Sequence, residues 1–151
     1  MISLENSVRQ NKAAMTVLDS LSKGANFGIV VENCEKILVS REKEGVLFKT
    51  LADGDKPDFV ITVPEKVFCE LFSERTSLLK VDDFLTFSAK TLVGAKEGIN
   101  LVIYANFLKL TFHGYPKLLK LGGVSFLKVL ADNGAGSLLA IEKKLATFRN
   151  K

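Results

Sequence analysis

The sequence contains no tryptophan, one histidine and only two cysteines among its 151 residues. The two cysteines, Cys34 and Cys69, are too few for a disulfide framework or a zinc site, so we expect reduced, partly buried thiols. A serine or cysteine nucleophile that needs an imidazole base would have to use His113. We interpret His113 as a surface or turn residue on the polar side of a strand, and we expect a protein that is not an enzyme.

Motifs for metals, phosphates and nucleotides are also missing. No group of His, Cys, Asp and Glu has metal-ligand spacing, and Asp53, Asp55 and Asp58 lack the downstream glutamate and the correctly placed glycine of a calcium loop. The scattered glycines form neither a phosphate-binding loop nor a dinucleotide fingerprint. We therefore expect no metal and no cofactor, and a plain turn around Asp53 to Asp58.

Long apolar runs are absent as well. No stretch approaches the roughly 18 apolar residues of a membrane span, and residues 1–23 lack the continuous apolar core of a signal peptide. The composition, 47% apolar and 25% charged, is that of an ordinary globular chain. We predict a single cytoplasmic domain over residues 1–151, with its core at about residues 25–130.

The charge is unevenly distributed along the chain. Residues 1–100 carry a net charge of −2 and residues 101–151 a net charge of +6. A basic C-terminal third can favour an anionic partner such as a membrane surface, although a solvated lysine face explains it equally well. The eleven phenylalanines indicate packing, and residues 107–114 interleave aromatic and basic residues only loosely. We therefore do not expect a nucleic-acid partner.

Two segments, residues 58–72 and residues 107–130, share one pattern and are called here the first and second units. Each begins with a two-residue alternation of apolar side chains, reaches a proline, and then changes to a helical period. Proline is tolerated in the first turn of a helix because its missing N–H would be unpaired there anyway. Each unit therefore predicts a strand followed by an amphipathic helix. In the second helix, Pro116 to Leu130, a broad apolar arc is interrupted by Gly122-Gly123, which suggests a kink, a close backbone approach or two shorter helices.

Apolar periodicity and turn residues predict the other elements. Residues 99–105 fit either a strand or a buried helical turn. The predicted elements outside the two units are a helix at 3–22, antiparallel strands at 27–32, 37–40 and 46–51, a helix that begins at Asp82-Asp83, and a C-terminal helix at 137–148.

This order of elements resembles the sterol carrier protein type 2 family over about residues 25–130. The resemblance is carried by the strand DFVITV at residues 58–63 and by the helix PEKVFCELF that follows directly at residues 64–72. It implies an α+β fold in which a mostly antiparallel five-strand sheet is covered by helices, with residues 107–114 as the closing strand. The positions that match the family pattern are Asp58, Phe59, Ile61, Val63, Phe68, Leu71 and Phe72.

The same resemblance implies a hydrophobic tunnel between the sheet and the helices, which would hold a fatty acyl, sterol or isoprenoid molecule. Lys117, Lys120 and Lys128 would then meet an anionic head group or a membrane surface. Each lining candidate has ordinary core packing as its alternative role, because large apolar side chains are usually inside. The candidate ligand-lining residues are Phe68, Phe72, Phe84, Phe87, Phe112, Leu119 and Phe126.

Two other functions stay open at this point. The chain could be an interaction or regulatory domain without a small ligand, in which the C-terminal helix binds a partner or forms a homodimer. Alternatively, it could be an enzyme that uses His113, Asp53 or Glu70 in a pocket. The apolar residues of the C-terminal helix that would make the contact are Leu138, Ile141, Leu145 and Phe148.

Overall fold

The computed structural model describes residues 3–95 and 98–133, which fold as a five-stranded sheet with helices. The predicted α+β class with a mostly antiparallel five-strand sheet is confirmed. Residues 134–151, and with them the predicted helix at 137–148, lie outside the described residues. The elements are α1 Leu4–Gln10, α2 Lys12–Ser20, β1 Asn26–Val31, β2 Lys36–Glu42, β3 Gly45–Thr50, β4 Phe59–Val63, α3 Glu65–Leu71, α4 Glu74–Ser77, α5 Val81–Gly94, β5 Asn100–Ile103, α6 Phe107–Phe112 and α7 Lys117–Asp132.

The strands lie in the order β3-β2-β1-β4-β5, and β4 pairs in parallel with β1 while the other neighbours are antiparallel. The sequence predicted an antiparallel meander, so the parallel pair corrects it. After β3, the side chain of Leu51 packs over Gly28 of β1. A Cβ at Gly28 would lie 2.9 Å from the Leu51 side chain, so glycine makes room for this contact.

The N-terminal segment forms two helices rather than the single predicted helix at 3–22. Asn11, which is 1% exposed, ends α1 and begins α2. Its Oδ1 accepts a hydrogen bond from the backbone N–H of Ala14 at 2.9 Å, and its Nδ2 donates to Oγ1 of Thr76 at 2.8 Å. An asparagine side chain competes with the helical backbone for hydrogen bonds, which explains the break.

The first unit forms as predicted, with β4 followed at once by α3. Pro64 stands at the N-cap of α3 with φ −65°, which suits the ring of proline. Ile61 and Val63 lie on the inner face of the sheet, and the buried Phe68 packs behind them in the same core cluster. The helix predicted from Asp82-Asp83 is also confirmed, because both residues occupy the first turn of α5.

The second unit begins with a helix, so the predicted strand at residues 107–114 was wrong. Asn106 caps α6 by accepting a hydrogen bond from the N–H of Lys109 at 2.8 Å. Only Leu110 of the predicted inward row is buried, whereas Phe112 is 71% exposed. The fifth strand is instead β5, within the ambiguous segment 99–105, and it pairs antiparallel with β4.

The kink predicted for the last helix is confirmed. Gly123 interrupts α7 with φ +69°, a backbone conformation that glycine adopts without the strain other residues suffer. At Gly122 a side chain would overlap the ring of Phe126. The local structure therefore favours glycine at both positions. Within residues 3–95 and 98–133, no helix has both the length and the apolar character needed to cross a membrane.

Candidate functional site

An apolar cavity of about 190 Å³ lies between the sheet and helices α1, α2, α3 and α5. Strand residues alternate between the two faces of a sheet, so every second apolar residue of β1, β2 and β4 points to this side. The strands contribute Phe27, Ile29, Val39, Ile61 and Val63, and the helices contribute Val8, Val17, Leu18, Phe68, Phe84 and Leu92 among others.

The cavity wall contains a single polar side chain, that of Ser88 on α5. Oγ of Ser88 is buried and forms no hydrogen bond within the part of the chain that the structure describes. A wall of this composition can exclude water and bury hydrocarbon, but it offers no charged group for acid–base chemistry. The arrangement is therefore suited to holding an apolar group.

Three of the predicted lining residues meet in this cavity. Phe68 and Phe72 have ring centroids 4.9 Å apart, and Phe72 lies 6.4 Å from the ring of Phe84. That these residues contact a ligand stays a prediction. The other four candidates, Phe87, Phe112, Leu119 and Phe126, do not line the cavity.

The structure shows where three of those four residues lie instead. Phe112 is exposed because residues 107–112 form a helix rather than a strand. Phe126 packs with α2 and α5 residues in a second core cluster, and Leu119 is half-buried on α7. The cavity thus lies beside α5 and α2, and α7 contributes none of its described lining.

A second, polar cavity of about 390 Å³ opens beside α1 and α4. Phe72 belongs to the lining of both cavities, so the apolar cavity and this polar pocket meet at this residue. The polar pocket is lined by Ser7, Gln10, Asn11, Phe72, Ser73, Glu74, Ser77 and Leu78.

The second notable group of residues surrounds the buried carboxylate of Asp58, which directly precedes β4. Asp58 is 0% exposed, and its Oδ2 accepts hydrogen bonds from the hydroxyl of Tyr115 at 2.8 Å and from the backbone N–H of Asn26 at 3.1 Å. Nδ1 of His113 lies 2.6 Å from the same oxygen. Oδ1 of Asp58 is buried without a hydrogen-bond partner among the described residues. Three separate chain segments therefore meet at one carboxylate.

The backbone of Asp58 connects further elements. Its N–H donates to the backbone carbonyl of Asn26 at 2.9 Å, and its carbonyl accepts from the N–H groups of Tyr104 and Ala105 at 3.0 and 3.1 Å. Asp58 thus joins β1, β4 and the β5–α6 connection, while its side chain holds the turn after α6. We assign this cluster a structural role, because removing a buried charge from its partners is costly.

Sequence reasoning missed this cluster. The sequence predicts a plain turn at Asp58 and a surface or turn position for His113. His113 does lie in the turn after α6, but its side chain is only 15% exposed. The one available signal was the charged Asp58 directly before an apolar strand. A separation of 55 residues gives no indication that Asp58 and His113 meet. Within the described chain neither Asp53 nor Glu70 forms a hydrogen bond with His113, so the enzyme alternative gains no support from these pairings.

The cluster makes stability depend on pH at the alkaline end. Burial, together with the charge and the hydrogen bond of Asp58, raises the pKa of Tyr115 above its usual value. The folded protein therefore keeps a proton that the unfolded chain releases above about pH 10. The contribution of this proton to the free energy of unfolding is fully present below about pH 10. As the pH rises further, the free energy of unfolding falls by up to about 1.4 kcal/mol per pH unit.

We expect Tyr115→Phe to remove this dependence. The free energy of unfolding, measured by urea denaturation at about pH 9 and about pH 11, should fall less for the variant than for the parent protein by about 1 kcal/mol. Lysine deprotonation affects both proteins equally and cancels in the comparison. Equal falls would show that Tyr115 does not retain its proton on folding.

The three lysines of α7 differ in their contacts with the rest of the protein. Nζ of Lys117 donates to Oγ of Ser22 at 3.2 Å and to the carbonyl of Ser20 at 3.4 Å, near the C-terminal end of α2. Lys120 and Lys128 are exposed. Their contact with an anionic head group or membrane surface stays a prediction. Cys69 is exposed rather than partly buried, Cys34 is half-buried, and both are free thiols.

Comparisons with known proteins leave the family open. No protein-family model matches the chain, and no curated protein matches it. Among solved structures, a chain titled "UbiJ-SCP2 Ubiquinone synthesis protein" is similar with a TM-score of 0.40 and 13% sequence identity, covering 79% of this chain and 88% of that chain. Beyond the α+β class, resemblance to the sterol carrier protein type 2 family stays a prediction.

Proposed function

We propose that the protein binds a hydrophobic molecule without transforming it, and that the apolar chain of this ligand enters the cavity between the sheet and α1, α2, α3 and α5. The observation that carries the proposal is the cavity of about 190 Å³ whose wall is apolar except for Ser88. Ligand sites are lined predominantly by apolar side chains with a few polar groups, and the wall of this cavity has that composition. Such a wall favours the binding of hydrocarbon.

The size of the cavity narrows the ligand class. Pockets for drug-sized molecules usually measure about 300–1,000 Å³, whereas an engineered apolar cavity of about 150 Å³ accepts benzene. A space of about 190 Å³ therefore takes one end of a fatty acyl or isoprenoid chain. A rigid sterol ring system would require the helices to move apart. We accordingly favour a slender chain among the three ligand types that the sequence suggested.

A series of straight-chain alcohols tests the proposal. Each methylene that leaves water contributes about 0.8 kcal/mol, which corresponds to an approximately fourfold gain in affinity. We expect affinity to rise by about this factor per added carbon and then to level off when the chain fills the cavity. The measurement is displacement of a neutral fluorescent probe, Nile red, supported by native mass spectrometry for lipid that co-purifies. Absence of saturable displacement, or affinities independent of chain length, would refute the proposal.

A further inference from the structure

We propose that the polar pocket beside α4 holds the head group of the ligand, and that this head group is a hydrogen-bond donor, either a hydroxyl or an ammonium group. The inference rests on the proposed function, because it assigns the other end of the same ligand. Its basis is the position of Phe72, which lines both cavities. A molecule that passes Phe72 would have its chain in the apolar cavity and its polar end in the pocket of about 390 Å³.

Hydrogen bonds between the α1–α2 junction and α4 hold the sides of the polar pocket in place. The buried side chain of Asn11 donates to Oγ1 of Thr76 at 2.8 Å, which ties the α1–α2 junction to α4. Oγ of Ser77 accepts from the N–H of Lys12 at 3.0 Å and donates to the carbonyl of Gln10 at 3.3 Å. These contacts fix the two sides of the pocket relative to each other, so a ligand does not have to order them on binding.

The proposed path of the ligand passes Phe72. Its side chain is half-buried and is bordered by the rings of Phe68 and Phe84, with centroid separations of 4.9 and 6.4 Å. It follows the last residue of α3, where φ −117° and ψ 45° already depart from helical geometry. A change of side-chain rotamer at this position would connect the polar pocket with the apolar cavity.

Among the unengaged groups of the pocket, the carboxylate of Glu74 can only accept hydrogen bonds, whereas the amide of Gln10 and the hydroxyl of Ser7 can both donate and accept. The carboxylate of Glu74, the side-chain amide of Gln10 and the hydroxyl of Ser7 line the pocket, and none of them forms a hydrogen bond or ion pair within the described chain. Among the described lining residues there is no lysine or arginine. An ionised carboxylate or phosphate would therefore meet Glu74 without a compensating cation, and like charges repel. A hydroxyl or ammonium group finds acceptors instead.

Three ligands of equal chain length test the head-group chemistry, namely decanol, decylamine and decanoic acid. We expect decanol and decylamine to displace Nile red at concentrations at least about threefold lower than decanoic acid, a ratio that corresponds to less than 1 kcal/mol in this solvent-exposed pocket. If decanoic acid binds as well as decanol or better, the head-group inference is overturned while the proposed function stands. If none of the three displaces the probe, the proposed function fails, and this inference fails with it.

A variant pair separates the hydroxyl from the ammonium group. Glu74→Gln removes the charge at an exposed residue while keeping its shape, and we expect it to weaken decylamine binding about threefold and to leave decanol binding nearly unchanged. The matched control is Glu70→Gln, which makes the same chemical change at an exposed α3 residue outside both linings. Equal effects of the two variants on decylamine would show a general charge effect and would overturn the role of Glu74.

Discussion

Replacing Asp58 with Ala is expected to lower the free energy of unfolding by about 3–5 kcal/mol, a large part of the stability of a typical domain. The substitution leaves the hydroxyl of Tyr115, the N–H of Asn26 and the ring of His113 without their shared acceptor. Buried donors that lose their partner cost about 1–3 kcal/mol each. The effect is large because these donors tie two distant parts of the chain, β1 and the turn after α6, to the residue that precedes β4.

Urea unfolding measures this effect, and two further variants sharpen it. Asp58→Asn keeps an acceptor oxygen in place, so we expect a smaller loss and a protein that folds even if the alanine variant does not. Asp53→Ala makes the same change at an exposed residue of the neighbouring turn and should shift the free energy of unfolding by no more than about 0.5 kcal/mol. Similar losses for Asp58→Ala and Asp53→Ala would contradict the structural role of the cluster.

Replacing Ser88 with Leu is expected to weaken binding of a straight-chain ligand by more than about tenfold without lowering stability. The added carbons occupy the space that the ligand chain would take, because Ser88 lines the apolar cavity. The substitution also removes a buried hydroxyl that has no hydrogen-bond partner within the described chain. Since such a hydroxyl costs stability, the free energy of unfolding should stay equal or rise by about 1 kcal/mol.

Ser88→Ala is the matched control for this prediction. It removes the same hydroxyl but leaves the cavity open, so the ligand should bind as well as before or slightly better. Displacement of Nile red reports binding, and urea unfolding reports stability for both variants. If Ser88→Leu binds decanol like the parent protein, the cavity beside α5 is not the binding site, whatever the stability of the variant.

Short sequence patterns predicted an element correctly where its tertiary packing agrees with its own periodicity. The first unit was predicted correctly because its alternation, its proline and its helical period each have one structural meaning. Gly122-Gly123 likewise predicted the kink in α7, since the positive φ of Gly123 is a local property of the backbone. The sheet size followed from the number of alternating segments, although one of those segments was misassigned.

Local patterns failed where a contact distant in sequence decides between two conformations. Residues 107–112 alternate like a strand, yet they form a helix whose buried Leu110 packs in one cluster with Ile103 of β5 and Phe59 of β4. β4 lies beside β1, where Phe27 pairs with Phe59, although two other strands intervene in the sequence. Neither choice can be read from a short window, because tertiary packing overrides a short apolar alternation.

The sequence by itself determined the α+β class, the first unit and the glycine kink. Only the tertiary structure decided which phenylalanines surround a cavity, and it placed Phe72 between an apolar and a polar space. It alone brought Asp58 to His113 and Tyr115, across 55 and 57 residues of chain. The physical reason is that periodicity assigns a side chain to a face, whereas the partners across that face depend on how strands and helices assemble.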